Sequence, residues 1–320
     1  MEPLDTLLNE LCENSQMPAQ ASLYHLSNLD PEDIARVREV WMRLPVALRR
    51  QVITRLAEMA EADFEVNFGE IFRLGLEDED AKVRTTAIEG LWEDEDVHLV
   101  PVLIARLRED EDVTVRATAA TSLGRFILLG ELEKIRPAPC VLAYDALLTA
   151  CQGADEHVEV QRRALESLAY ASNETVTELI RRAYDAPEEK MRISAIFAMG
   201  RNADTSWANC VRHELLQPNP ELRYEAARAC GELQLRETMP ELEELADDVD
   251  PEVQEAALWA LGQIGGEKAR QILKHYCMTA NEATRAAAAA ALEELDFLHG
   301  NLADFFTRLI GEQSGRSEFG

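Results

Sequence analysis

One phrase recurs along this chain at nearly constant spacing, and it restricts the possible folds more than any other feature. It is clearest at Asp250–Gly262, DPEVQEAALWALG. Asp250 suits a helix N-cap, Pro251 the first helical position and Gly262 a left-handed end. Val253, Ala257, Leu258 and Leu261 then share one helical face. Taking Val253-Gln254 as a register mark, the equivalents are Val83-Arg84, Val115-Arg116, Val160-Gln161, Met191-Arg192, Leu222-Arg223 and Thr284-Arg285, with a looser Leu48-Arg49 before them. From Gln161 to Arg285 the marks stand 31 residues apart; the earlier steps are 32 and 45. A helix-turn-helix phrase at such a period implies an α-solenoid, in which each unit buries its apolar face on its neighbours.

Each mark opens the second helix of a pair. Four residues after it stand Ala87, Ala119, Ala164, Ala195, Ala226, Ala257 and Ala288. Such a run implies close approach of another helix, where leucine would overpack. Gly124, Gly200, Gly231 and Gly262 are expected to end their helices, with Trp92 in place of the glycine in one copy. First helices are expected over Glu70–Leu76, His98–Leu107, Val141–Cys151, Thr175–Tyr184, Trp207–Leu216, Met239–Ala246 and Ala269–Cys277, after an opening pair at Ile34–Met42 and Pro45–Met59. No stretch alternates with period two, so no strand is expected.

The pattern D-x-x-VR-x-x-A-x-x-x-LG resembles the HEAT repeat, and more narrowly the short, alanine-rich repeats of the phycobilisome-lyase type, over about Asp30 to Leu295. The resemblance implies an all-α fold, an α-solenoid forming a right-handed superhelix of about eight HEAT-like helix pairs. Capping helices and a linker are expected over 1–30, repeats one to three over 31–135, repeats four to eight over 136–300, and a capping helix with a flexible tail over 301–320.

Sixty acidic against 32 basic residues leave a net charge of −28. That disfavours nucleic acid and anionic membranes, which need clustered Lys and Arg, and favours a basic partner or solubility alone. No apolar run approaches the ~20 residues of a bilayer span, and the acidic start lacks a secretory signal's basic flank. A cytoplasmic location is therefore expected. The six cysteines show no C-x-x-C spacing, and neither a disulfide framework nor a zinc site is expected.

Several segments stand outside the repeat. Leu4, Leu7, Leu8 and Leu11 share one helical face, which either caps the first repeat or docks on a partner. Trp41 is expected to fill the contact within the first pair. Arg136-Pro137-Ala138-Pro139 in the 45-residue step breaks any continuous helix and implies a longer loop. A further helix is expected over Leu302–Ile310, and GEQSGRSEFG reads as a disordered end.

The acidic clusters Glu77–Asp80, Glu109–Asp112 and Asp247–Asp250 precede second helices, where carboxylates cap exposed amides. An acidic ridge facing a basic partner is the other reading; a calcium loop is not supported, because LEDEDAKVR lacks the turn glycine. For Arg84, Arg116, Arg192, Arg223 and Arg285 the resemblance implies a ladder of contacts to an Asp or carbonyl in the adjacent turn, an anion-binding row being the alternative. The resemblance also raises two enzymes. Deoxyhypusine hydroxylases hold a di-iron centre with several His-Glu dipeptides, of which only His213-Glu214 is present. Phycobilin lyases handle a linear tetrapyrrole, for which no motif is legible. Trp92 is expected to pack rather than to contact a ligand.

Positions two and six after the mark are expected to point away from the core, on the side that the resemblance makes concave. They change from Thr85, Glu89, Ala117 and Thr121 to Ile193, Phe197, Tyr224, Arg228 and Trp259, with Tyr170 and Arg201 one turn nearer the helix ends. Aromatics interleaved with Arg are the composition of binding hot spots, although the rings could instead pack between second helices. The expected partner site is thus Ile193, Phe197, Arg201, Tyr224, Arg228 and Trp259. The expected function is a non-catalytic scaffold or adaptor gripping a protein or peptide segment, with no metal, cofactor, nucleic acid or membrane insertion. An enzyme or chaperone-like lyase, hydroxylase or phycobilin-lyase in kind, and a structural assembly subunit are the alternatives.

Overall fold

The computed structural model describes residues 3–14 and 16–299, and within them every regular element is helical. The helix expected at Leu302–Ile310 and the tail lie outside the described residues. Two short helices, α1 (Pro3–Asn14) and α2 (Gln20–Leu23), precede eight pairs. These are α3 (Pro31–Trp41) with α4 (Val46–Ala62), α5 (Gly69–Gly75) with α6 (Ala81–Gly90), α7 (Leu99–Glu109) with α8 (Val113–Glu131) and α9 (Pro137–Gln152) with α10 (Val158–Leu168). Then follow α11 (Glu174–Tyr184) with α12 (Glu189–Arg201), α13 (Ala208–Glu214) with α14 (Pro220–Glu232), α15 (Met239–Leu245) with α16 (Pro251–Ile264) and α17 (Gly266–Thr279) with α18 (Glu282–His299).

The chain divides into two compact units, Met1–Leu168 and Ala169–Gly320. In the first, α4, α6, α8 and α10 pack successively on one another. In the second, α12, α14, α16 and α18 do the same. Second helices therefore form one layer of each unit and first helices the other, the packing of an α-solenoid. The seven register alanines are all 0% exposed. At Ala87 the reason is visible: a Cβ placed on Gly75 of α5 would lie 2.9 Å from the Ala87 methyl.

Two expectations need correction. Gly124, Gly200, Gly231 and Gly262 lie inside their helices with ordinary negative φ, so they are not left-handed caps. They are close-approach points between second helices: a Cβ on Gly262 would sit 2.7 Å from the Ala291 carbonyl oxygen of α18, and one on Gly124 2.7 Å from Ser167 Oγ of α10. After Gly200, Gly231 and Gly262 the left-handed turn falls three residues later, at Ala203, Gln234 and Gly265, with φ of 57°, 53° and 66°. At Gln234 it closes through Leu235 N donating to Cys230 O at 3.0 Å and Gln234 N donating to Gly231 O at 3.1 Å. The prolines at 137 and 139 do not make a long loop either. Pro137 opens α9, because a first-turn residue needs no N–H donor. The 45-residue step is taken up by α8 and α9, which run to 19 and 16 residues.

Register side chains and acidic clusters lock together. Arg84 forks onto Asp110 at 2.8 and 2.7 Å while its third nitrogen donates to the carbonyls of Asp78 and Glu79. Arg223 repeats this with Asp248 at 2.7 and 2.8 Å and the carbonyls of Gln217 and Pro218. Arg49 reaches Asp78 and Glu79, and Arg116 reaches Glu156. Where the register residue is Gln254, Thr284 Oγ1 donates to its side-chain oxygen instead. Each cluster's final aspartate is the helix cap: Asp80 accepts from Val83 N, Asp112 from Thr114 N and Val115 N, and Asp250 from Glu252 N and Val253 N. Much of the ridge is thus spent on joining repeats and capping helices, while Glu77, Glu79, Glu109, Glu111 and Asp247 keep exposed surface.

At the start of the chain, Leu4, Leu7, Leu8 and Leu11 are all buried and Asp5 pairs with Arg36 of α3, so α1 covers the first repeat. Trp41 is 2% exposed and donates from Nε1 to Asp78 at 2.8 Å. All six cysteines are free. No helix among the described residues is long and apolar enough to cross a membrane.

Candidate functional site

In the second unit, α12, α14 and α16 stand side by side and carry the expected partner residues. Helical residues four apart share a face. Phe197 and Arg201 therefore project together from α12, Tyr224, Arg228 and Glu232 from α14, and Trp259 comes from α16. Five of the six expected residues meet here. Phe197, Arg201, Tyr224 and Arg228, with Glu225, Ala229 and Glu232, line a cleft of about 180 Å³, and Trp259 lies beneath Arg228. All but the buried Ala229 are half-buried.

Ile193 is the exception. It is 6% exposed, as are Ala117 and, at 3%, Thr85 at the same register position. Position two lies seven residues, two full turns, before the close-approach glycine. In these three copies it therefore faces the neighbouring second helix and the expectation that it points outward does not hold, whereas Tyr224 at the same position is half-buried and Glu255 exposed. Position six is the outward one: Glu89 and Thr121 are exposed, and Phe197, Arg228 and Trp259 half-exposed.

The cleft is held by stacked cations and one carboxylate. The Arg228 guanidinium carbon lies 3.6 Å from the Trp259 ring centre, and that of Arg201 5.3 Å from the Phe197 ring centre. Arg201 Nη1 stands 3.2 Å from Glu232 Oε1. Burial raises the Glu232 carboxyl above its usual range, against the pull of Arg201 and Arg228. Two glycines make room for these groups. A Cβ on Gly200 would sit 2.5 Å from Glu232 Oε2, and one on Gly231 2.7 Å from the Trp259 ring. A guanidinium stacked on a ring keeps its in-plane N–H donors for an acceptor, and the rings beside it offer apolar area at little entropic cost. At about 180 Å³ the cleft is below the ~300–1,000 Å³ of small-molecule pockets and suits a side chain or backbone segment.

Glu232 was not legible as part of this site; its signal is its place one turn after Arg228, at the register position of Arg201. His213 and Glu214 do not converge on one point. His213 is exposed, whereas Glu214 is 1% exposed and accepts from Tyr184 OH at 2.8 Å. Among the described residues no group of three His, Cys, Asp or Glu side chains is placed to hold a metal ion. Trp92 corrects its expectation as well: it is 57% exposed, on the turn after α6, because that helix stops at Gly90 rather than running on.

Residues 70–137 and 211–293 match the sequence profile of HEAT repeats. A chain in the structure of the CpcE–CpcF complex of phycocyanin lyase from Nostoc sp. PCC7120 is 20% identical over 71% of this chain and 94% of its own, with a TM-score of 0.50. Yeast importin-beta (Kap95p) is 13% identical over 98% of this chain and 50% of its own, with a TM-score of 0.54. This chain thus spans about half the length of that importin. Human deoxyhypusine hydroxylase, 20% identical over 92% of this chain and 96% of its own, superposes with a TM-score of only 0.34 and carries no weight. The first two likenesses are likenesses of fold. No curated protein matches the sequence.

Proposed function

The chain is a HEAT-repeat protein, and from that premise we propose that it is a non-catalytic scaffold or adaptor holding a segment of a partner protein. The segment lies across the exposed side of α12, α14 and α16. Phe197 and Tyr224 supply apolar contact, Arg228 on its Trp259 platform donates to an acceptor of the partner, and Arg201 is kept in place by Glu232. Ile193 supports the site from within the core.

The observation that carries this reading is the stacked Arg228–Trp259 pair at 3.6 Å beside an open cleft rather than in the core. Aromatic and Arg anchors of this kind dominate protein interfaces. The excess of 28 negative charges favours approach of a basic partner over distances beyond the cleft itself. The test is affinity capture from the native source with parent protein and with a Tyr224→Ala/Trp259→Ala double variant. Capture should be lost in the variant while far-UV circular dichroism keeps its helical signal. Undiminished capture by a folded double variant refutes the assignment.

A further inference from the structure

The first unit carries a second surface, different in chemistry from the one just described. Trp92 is 57% exposed and Phe64, in the loop after α4, is 83% exposed. Both border one cleft of about 770 Å³, whose floor includes the buried rings of Phe68 and Phe72. The charged groups on its wall are Glu70, Glu93, Asp94 and Glu95 against the single guanidinium of Arg73. That guanidinium is already taken, with Asp94 at 2.6 Å and Asp96 and Glu70 at 3.4 Å. Glu93 and Glu95 are exposed and join no salt bridge among the described residues. On its other side Trp92 borders a smaller cleft of about 440 Å³, where exposed Glu61 and Glu89 face Arg125.

The turn that presents Trp92 is fixed from below. Arg125 Nη1 donates to the carbonyl oxygens of Leu91, at 2.7 Å, and of Trp92. Trp92 N donates to Glu89 O at 3.1 Å, and Asp94 N to Leu91 O at 3.0 Å. Gly90 lets the turn sit this low, since a Cβ there would lie 2.6 Å from the Phe72 ring. A large apolar ring held outward on a hydrogen-bonded turn loses hydration but little freedom when covered. Its face attracts cations, and the carboxylates around it repel anions.

We propose that this cleft is a docking site for a basic, apolar-flanked polypeptide segment, which lays a Lys or Arg side chain on Trp92 between Glu93 and Glu95 and an aliphatic side chain against Phe64. The argument for that occupant is charge complementarity. Glu93 and Glu95 join no ion pair among the described residues, Arg125 acting on Glu95 only through space, and the ring lining the same cleft is the group that a cation stacks on. A second copy of this chain, with the same excess negative charge, does not meet that requirement.

The test is fluorescence anisotropy of the full chain with a short fluorescein-labelled peptide of alternating leucine and arginine, and with its leucine–glutamate counterpart. The arginine peptide should bind and the glutamate peptide should not. Trp92→Ala, which leaves the charge unchanged, should weaken binding by about tenfold. Phe64→Ala should weaken it independently, and Glu93→Gln/Glu95→Gln severalfold and in a salt-dependent way. Tyr224→Ala/Trp259→Ala should leave it unaltered, which separates this site from the one in the second unit. Equal binding of both peptides, or unaltered binding by both Trp92→Ala and Phe64→Ala, would overturn the proposal. In the second case the net charge by itself would account for attraction of the peptide.

Discussion

Replacing Gly262 by alanine tests what the recurring glycine is for. On an unobstructed helix the change gains about 1 kcal/mol from intrinsic propensity. Here the added methyl would stand 2.7 Å from the Ala291 carbonyl oxygen and 3.3 Å from the Ala291 carbonyl carbon and Cβ. Ordinary contact begins near 3.4 Å, so α16 and α18 must separate by roughly 0.7 Å at this point. Both contact atoms of the carbonyl are backbone, and no rotamer change relieves the clash. Overpacking of this kind costs ~1–3 kcal/mol, more than the propensity gain at its midpoint, so a net loss of about 1 kcal/mol is expected. Urea unfolding followed by far-UV circular dichroism measures it. Gly266 provides the contrast, with φ of +87° and nothing within 4 Å of a Cβ. There strain is conformational, and asparagine should be milder than alanine because it tolerates the left-handed region. At Gly262 the order should reverse, since asparagine is larger. A Gly262→Ala protein more stable than the parent, or asparagine milder than alanine at 262, would refute the close-approach argument.

Two further outcomes follow from the same contacts. Gln234 holds φ of 53° at the end of α14, where glycine carries no Cβ penalty, so Gln234→Gly should raise stability by about 1 kcal/mol in the same urea assay. The Arg223 fork holds the Asp248 carboxyl below its ordinary 3.8, against the opposing effect of burial, and Arg50, which donates from Nε and Nη2 to Asp80 at 2.8 and 2.6 Å, does the same there. A depressed folded-state pKa contributes stability that is complete above the unfolded value and is lost as pH falls from there through the lower folded value. The contribution of these pairs should therefore be full and independent of pH between pH ~5 and 7 and fall off below about pH 4. Asp248→Asn should lower neutral-pH stability by roughly 1–3 kcal/mol and flatten that acid limb, as read by denaturation at a series of pH values.

Periodicity alone determined the helix pairs, their register, the aspartate caps and the alanine core, because each depends on residues close in the chain or on a position repeated in every copy. The arginine ladder also followed from repetition, since Arg84 and Arg223 find the same kind of aspartate one repeat on. What repetition could not settle is how near adjacent second helices come, for that distance is set by side chains from different repeats pressing on each other. That distance makes Gly200 a seat for Glu232 and buries Ile193 while leaving Phe197 half-open. It also places Arg228 over Trp259. Trp92 and Pro137 show the same division at chain level. Composition marked both as irregular, but only packing decided that the first stands out on a turn and the second starts a helix.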